Sequence, residues 1–293
     1  MIRLFYILIF YLLFFNAYSN EQFNFDITEI EILNNGNTFI GNKRGVITTD
    51  VGIIIHADKF EYDKKENTLS AMGNVEINDN NRNYTIITEN IIYKKNQETI
   101  FTKNGSEAVN KNNKVKIIAE EFEYNLPNNL IVAKKNVIVE DKVEDLIIYS
   151  DNISYSRNDE IITSIGKTSA RIFSKYNFKG SDLIYLKKSK DLISDKEIVI
   201  TDKLNLYKLD KFKYSIISEE LKGENILISS NYKLPNNDKY YFSSAILNLK
   251  TNNFIAKDTK IKIHNNVFNN PDNDPRIKGI SSKKKGKITT INK

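Results

Sequence analysis

From residue 53 onward the chain alternates apolar and polar positions in short runs, and each run stops at a cluster of Asn, Asp, Lys and Gly. The stretch HADKFEYDKKENTLSAMGNVEI, residues 56–77, sets the pattern. Alternate side chains of a strand point to opposite faces, so Phe60 and Tyr62 share one face while Lys59 and Glu61 take the other. The polar stretch 63–67 reads as a turn, and 69–77 as a second strand interrupted at Gly73, where a bulge or bend is expected. The strand segments are rich in Ile, Val, Tyr, Phe and Thr, which suit a pleated surface. Nothing downstream sustains the 3.6-residue apolar spacing of a helix.

The unit repeats. Ala57-Asp58-Lys59-Phe60-Glu61-Tyr62 returns as Thr88–Tyr93, Ala119–Tyr124, Ser150–Tyr155, Gly180–Tyr185 and Leu209–Tyr214. The Tyr positions 62, 93, 124, 155, 185 and 214 are separated by 31, 31, 31, 30 and 29 residues. A last copy at 244–249 ends in Leu249, having lost the Tyr. About eleven residues after each Tyr the second strand is interrupted, at Gly73, Asn104, Lys135 and Gly166. A lone hairpin cannot bury its apolar face, whereas stacked copies line one continuous interior. The pattern therefore predicts an all-β protein: an elongated, folded-over sheet of stacked hairpin repeats, each of roughly 30 residues. Its apolar trough would be lined by Phe60, Tyr62, Ile91, Tyr93, Phe122, Tyr124, Ile153, Tyr155, Leu183, Tyr185, Phe212 and Tyr214. The two ends of such a stack are strand edges open to pairing, expected at 23–32 and near 254–263.

The N-terminus obeys a different grammar. Arg3 precedes an apolar run from Leu4 to Phe15, and Ala17-Tyr18-Ser19 is a small-x-small site. That is the form of a cleavable secretory signal. The run of 12 residues (4 to 15) is short of the ~20 that span a bilayer. Residues 1–19 are thus expected to be removed on export to the periplasm. Residues 20–268 are expected to form the repeat domain, and 269–293 a polar, basic tail in which Lys283-Lys284-Lys285-Gly286-Lys287 reads as a solvated stretch.

Composition narrows the chemistry. There is no cysteine, which removes thiol catalysis and thiolate metal sites. The net charge of +6 comes from 43 basic and 37 acidic residues mixed along the chain, so no nucleic-acid partner is expected. His56 and His264 are the only histidines and stand in different repeats, against a metal site. Asp58, Glu89, Glu120, Asp151 and Asp210 recur once per repeat, as structural groups do and a catalytic pair does not. No phosphate-binding glycine loop and no nucleophile elbow occur, so neither enzyme activity nor a cofactor is expected.

The phrase A-D-x-F-x-Y, polar turn, L-x-A-x-G-N-V-E-I, best carried by 57–77, resembles the OstA-like repeat of the lipopolysaccharide-transport proteins LptA, LptC and the N-terminal domain of LptD. The stretches 23–32, 45–50, 274–279 and 289–293 resemble those flanking the periplasmic domain of alphaproteobacterial LptD chains, in which an outer-membrane barrel follows; the resemblance implies either a truncated or split form of such a chain or a stand-alone periplasmic version. The resemblance implies a β-jellyroll, V-shaped in section, whose interior shields the acyl chains of lipopolysaccharide. It also implies partners: lipopolysaccharide, other jellyrolls of a transport bridge joined by edge-strand pairing, and an outer-membrane barrel. The expected location is the periplasm, in association with the outer membrane. From the residues alone two other readings stand: a structural β-solenoid scaffold or adhesin-like protein with a dry, closed core, and a carbohydrate-active β-helix enzyme, which would need clustered acids on one exposed face.

Overall fold

The computed structural model describes residues 23–293 apart from 111, 113, 265, 266, 268–271, 273 and 274. The proposed signal segment 1–19 lies outside them. The described chain is almost wholly antiparallel β, as the alternation requires. Counting the short strands on either side of a break as one bent strand, each pairs with the next in sequence, so the sheet is one long meander.

The meander is folded in half along its length. Thr68–Asp79, Leu130–Asp141 and Ile161–Ile172 run as single long strands with a break in register near their middles, at Met72/Val75 and Lys134/Val137 in the first two. Elsewhere the break separates two short strands, as between Ile53–Ala57 and Lys59–Asp63, or Val115–Ala119 and Glu121–Asn125. The break is built from residues at positive φ: Gly73 (+76°) with Asn74 (+46°), Asn104 (+68°) with Gly105 (+87°), Lys135 (+65°) with Asn136 (+51°), and Gly166 (+81°). These are the four interruptions expected from the sequence. Only Gly adopts this region without cost, and Asn tolerates it. A side chain at Gly73 would also meet the Asp58 carboxylate at 2.9 Å.

Three of the repeated acids, and Asp182 in the fifth copy, tie this hinge together. Asp58 accepts from Asn74 Nδ2 at 2.6 Å and Arg44 Nη1 at 2.8 Å. Asn136 donates to Glu120 at 2.5 Å, the Gly166 amide to Asp182 at 2.8 Å, and Asn225 to Asp210 at 3.0 Å. The Asn74 amide, and then Arg44, hold the Asp58 carboxyl below its ordinary value. Buried hydroxyls take up backbone groups freed at the bend. Thr102 Oγ1 accepts the Phe122 amide and Ser164 Oγ the Leu183 amide, both at 2.9 Å.

Folding the sheet at this line creates two layers whose inner faces form one apolar core. The first layer holds the φ-x-Tyr segments and the second holds the other half of each strand. Bulky and small residues alternate across neighbouring strands: Phe60 faces Ala71, Phe122 lies between Thr102 and Ala133, and Ile153 lies between Ala133 and Ser164. The sheet extends past residue 268, because Arg276–Lys285 pairs with Asn253–Lys262 and Ile288–Asn292 pairs with Arg276–Lys285. The C-terminal edge is therefore the segment 276–292, one hairpin beyond the 254–263 expected. The N-terminal edge falls where expected, at Phe23–Asp26 and Ile30–Leu33. There Ile32 is 59% exposed.

Candidate functional site

All twelve φ-x-Tyr positions face inward on the first layer and are buried, none more than 8% exposed. The alternation placed them correctly on one face. It did not show that the far ends of the two layers, opposite the hinge, come together and close over them along most of the length.

The closure is a polar seam with its own period. Each clasp joins a strand end of one layer to a residue 43 to 46 positions later on the other. Asp50 pairs with Lys95. Asp79, 1% exposed, accepts the Tyr124 hydroxyl at 2.7 Å and Arg82 Nη1 at 3.0 Å. Arg157 donates to the Tyr124 hydroxyl at 3.0 Å and to the Arg82 carbonyl, with its guanidinium 4.0 Å from the Tyr84 ring centroid. Asp141, also 1% exposed, accepts from the Tyr185 hydroxyl at 3.2 Å and from Lys187 at 3.0 Å. Lys190 and Glu144 add an ion pair at 2.7 Å. Tyr176 then donates to Glu219 at 2.8 Å. A buried carboxylate is tolerable only when paired in this way.

The seam shifts tyrosine acidity. Burial, then Asp79, pushes the Tyr124 hydroxyl above its usual value; burial, then Asp141, does the same at Tyr185. The Tyr93 and Tyr214 hydroxyls are buried in the same column with no hydrogen-bond partner among the described residues. The repeated Tyr is therefore a mouth residue as well as a core residue. Its partners Asp79 and Asp141, and the other seam residues Asp50, Glu219, Arg82 and Arg157, were not singled out in the sequence. Their signal is an acid at a strand end about 45 residues from its clasp partner, visible only once the two layers are known to meet.

The seam ends where the repeat loses its tyrosine. In the last copy Leu249 stands at the Tyr position, and the residue 45 earlier is Leu204. Both line a cavity of about 210 Å³ that opens at the mouth. Tyr207, Ile228 and Tyr240 form its wall from the second layer, and Leu247 and Phe254 from the first. Its rim carries Lys284 and the amides of Asn231, Asn248, Asn252 and Asn253. None of the twelve predicted residues is among its lining. Chemically it is an apolar throat with hydrogen-bond donors and one ammonium group at the lip. Nearby, His264 is held by Asp238 at 2.8 Å. No group of three or more potential metal ligands occurs among the described residues.

A folded-over antiparallel meander with an apolar interior and a clasped mouth has a jellyroll-like architecture. Residues 54–161 match the family described as LptA/(LptD N-terminal domain) LPS transport protein, in line with the OstA-like resemblance of the repeat there. No curated protein sequence matches the chain. Among solved structures, one similar to it is the crystal structure of LptH, the LptA homologous periplasmic component of the conserved lipopolysaccharide transport device from Pseudomonas aeruginosa. The two are 18% identical, the match covers 39% of this chain and 81% of that one, and the TM-score is 0.36.

Proposed function

We propose that this chain is a periplasmic lipopolysaccharide-binding and transport module that shields acyl chains between its two layers and acts by burial, with no bond made or broken. The observation that carries this reading is the cavity between Leu204 and Leu249, where the apolar interior reaches the surface beside Lys284. Each methylene moved from water into such a throat contributes ~0.8 kcal/mol, so affinity grows with chain number and length. The Lys284 ammonium and the asparagine amides suit a phosphorylated sugar head left in water. The twelve φ-x-Tyr positions are the path further in, reached by parting the clasps. Partners of the same fold join through the open edges at 23–33 and 276–292, where backbone pairing gives affinity without demanding particular side chains.

The test is photocrosslinking to lipopolysaccharide in cells, with the reactive group at Phe254 or Phe122 inside and at Ile217 outside, which is 71% exposed. Capture from Phe254 and not from Ile217 is expected, with weaker capture from Phe122. No capture from either inner position overturns the reading. The scaffold reading is favoured by one observation, the burial and clasping of the interior as far as Glu219. It expects no lipid at Phe254.

A further inference from the structure

We propose that the outer face of the first layer, at its C-terminal end, docks on an anionic lipid bilayer. Strand register sets one line of residues across that face: Lys213, Lys222, Ile246, Ile255, Lys283 and Thr290. Ile246 and Ile255 are direct cross-strand neighbours, 42% and 58% exposed, with lysines on both sides. Lys257 and Lys285 stand on the same face, two residues from Ile255 and Lys283. The stretch 283–287 is largely solvated, as expected, but is not all loop: 283–285 lie in a sheet strand, with Lys283 and Lys285 facing outward.

Some outward lysines elsewhere meet acids: Lys116 with Glu107 at 2.6 Å, Lys135 with Glu121 at 2.7 Å and Lys43 with Glu29 at 2.6 Å. At the C-terminal end Lys213 and Lys222 are placed directly opposite each other, a like-charge pair that weakens a sheet. Lys213 is relieved by Asp191 at 2.8 Å, and Glu224 lies 3.6 Å from Lys211. Lys222, Lys257, Lys283 and Lys285 have no ion pair among the described residues; Glu220 and Asp195 are the other acids on this face. Unneutralised lysines around an exposed isoleucine pair match an anionic headgroup layer, with the apolar pair reaching the acyl boundary. Lys284, between two of these lysines in sequence, points to the other side and lines the mouth cavity.

The proposal rests on the surface alone and stands or falls apart from lipopolysaccharide transport, so the vesicles used contain none. Residues 20–293 are purified, omitting the apolar N-terminal run that would itself bind lipid. Sedimentation is measured with vesicles of phosphatidylcholine alone and of phosphatidylcholine with one-third phosphatidylglycerol. Binding to the anionic vesicles only is expected, falling steeply as salt rises because the Debye length shrinks from ~10 Å at 0.1 M to ~3 Å at 1 M. Each lysine near such a surface is worth about fivefold in affinity, so the variant K222E/K257E/K283E/K285E should bind at least a hundredfold more weakly. Its folding is checked by circular dichroism, and I246S/I255S, which keeps the charge, should weaken binding about tenfold. Equal binding to neutral vesicles, or parental binding by a folded quadruple variant, overturns the proposal. So does a parent that ignores both vesicles and instead forms a dimer lost in the quadruple variant, which would assign the face to a second copy of the chain.

Discussion

Replacing Asp79 by Ala would remove the acceptor at the centre of the best-formed clasp. Asp79 is 1% exposed and receives three hydrogen bonds: from the Tyr124 hydroxyl at 2.7 Å, from Arg82 Nη1 at 3.0 Å and from the Arg82 amide at 3.0 Å. Arg82 remains partly exposed, at 27%, and can turn to water; Tyr124 cannot. Breaking one partner out of a buried charged pair costs about 3–5 kcal/mol, and Arg82's access to water puts the expected loss near the lower figure, about 3 kcal/mol. Tyr124→Phe leaves the carboxylate with its arginine and should cost about 1.5–2 kcal/mol, the range for a hydrogen bond to a charged group. The two changes share one bond, so the double variant should fall short of their sum by about 1.5 kcal/mol. Urea unfolding gives these values if the transition stays two-state. Amide exchange at 75–79 and 121–125 reports the local opening directly, because stacked repeats can open in part. Glu29→Ala is the control. Its ion pair with Lys43 is 2.6 Å long but more than half exposed on both sides, and the loss should be under ~1 kcal/mol. If Asp79→Ala and Glu29→Ala cost the same, or Asp79 and Tyr124 show no coupling, the mouth is not held by this seam.

Other outcomes follow from the same geometry. Tyr93→Phe and Tyr214→Phe remove buried hydroxyls without a partner and should be neutral or stabilising by up to ~1 kcal/mol in melting experiments, the reverse of Tyr124→Phe. The clasp tyrosines have raised folded-state values, so their contribution is complete below the ordinary phenol pKa of about 10 and is lost as pH rises beyond it. Tyrosinate absorbance from Tyr124 and Tyr185 should therefore appear together with alkaline unfolding and not as a separate step at pH 10. Asp58, depressed by Asn74 and Arg44, behaves in the opposite sense. Its contribution is present above about pH 4 and disappears as acid protonates it, which carboxyl NMR titration would show as a midpoint below the ordinary aspartate range. Gly73→Ala forces a side chain into positive φ and against Asp58 and should destabilise by about 1–2 kcal/mol, while Gly73→Asn, suited to that φ, should cost less in the same assay.

The chain's own alternation determined a good deal. Period-two apolar spacing with a ~31-residue repeat is enough to require a stacked β-meander, and it placed Phe60, Tyr62, Phe122, Tyr124 and their equivalents on one inner face, because strand geometry leaves a side chain only two directions. The hinge was legible too, since Gly73, Asn104, Lys135 and Gly166 interrupt each repeat at the same offset and a bent strand needs residues that accept positive φ. What the sequence could not display was which strand ends meet across the fold. That depends on how far the meander advances between one layer and the other, and the answer, about 45 residues, matches neither the strand nor the repeat period. Only the folded molecule turns Asp79, Arg82, Asp141 and Arg157 from unremarkable turn residues into a seam. The same offset makes Leu204 and Leu249 the place where the seam fails and the interior opens. Lys283, Lys284 and Lys285, a plain basic run in the chain, are likewise divided by the strand they form: two face outward beside Ile255, and one faces the mouth.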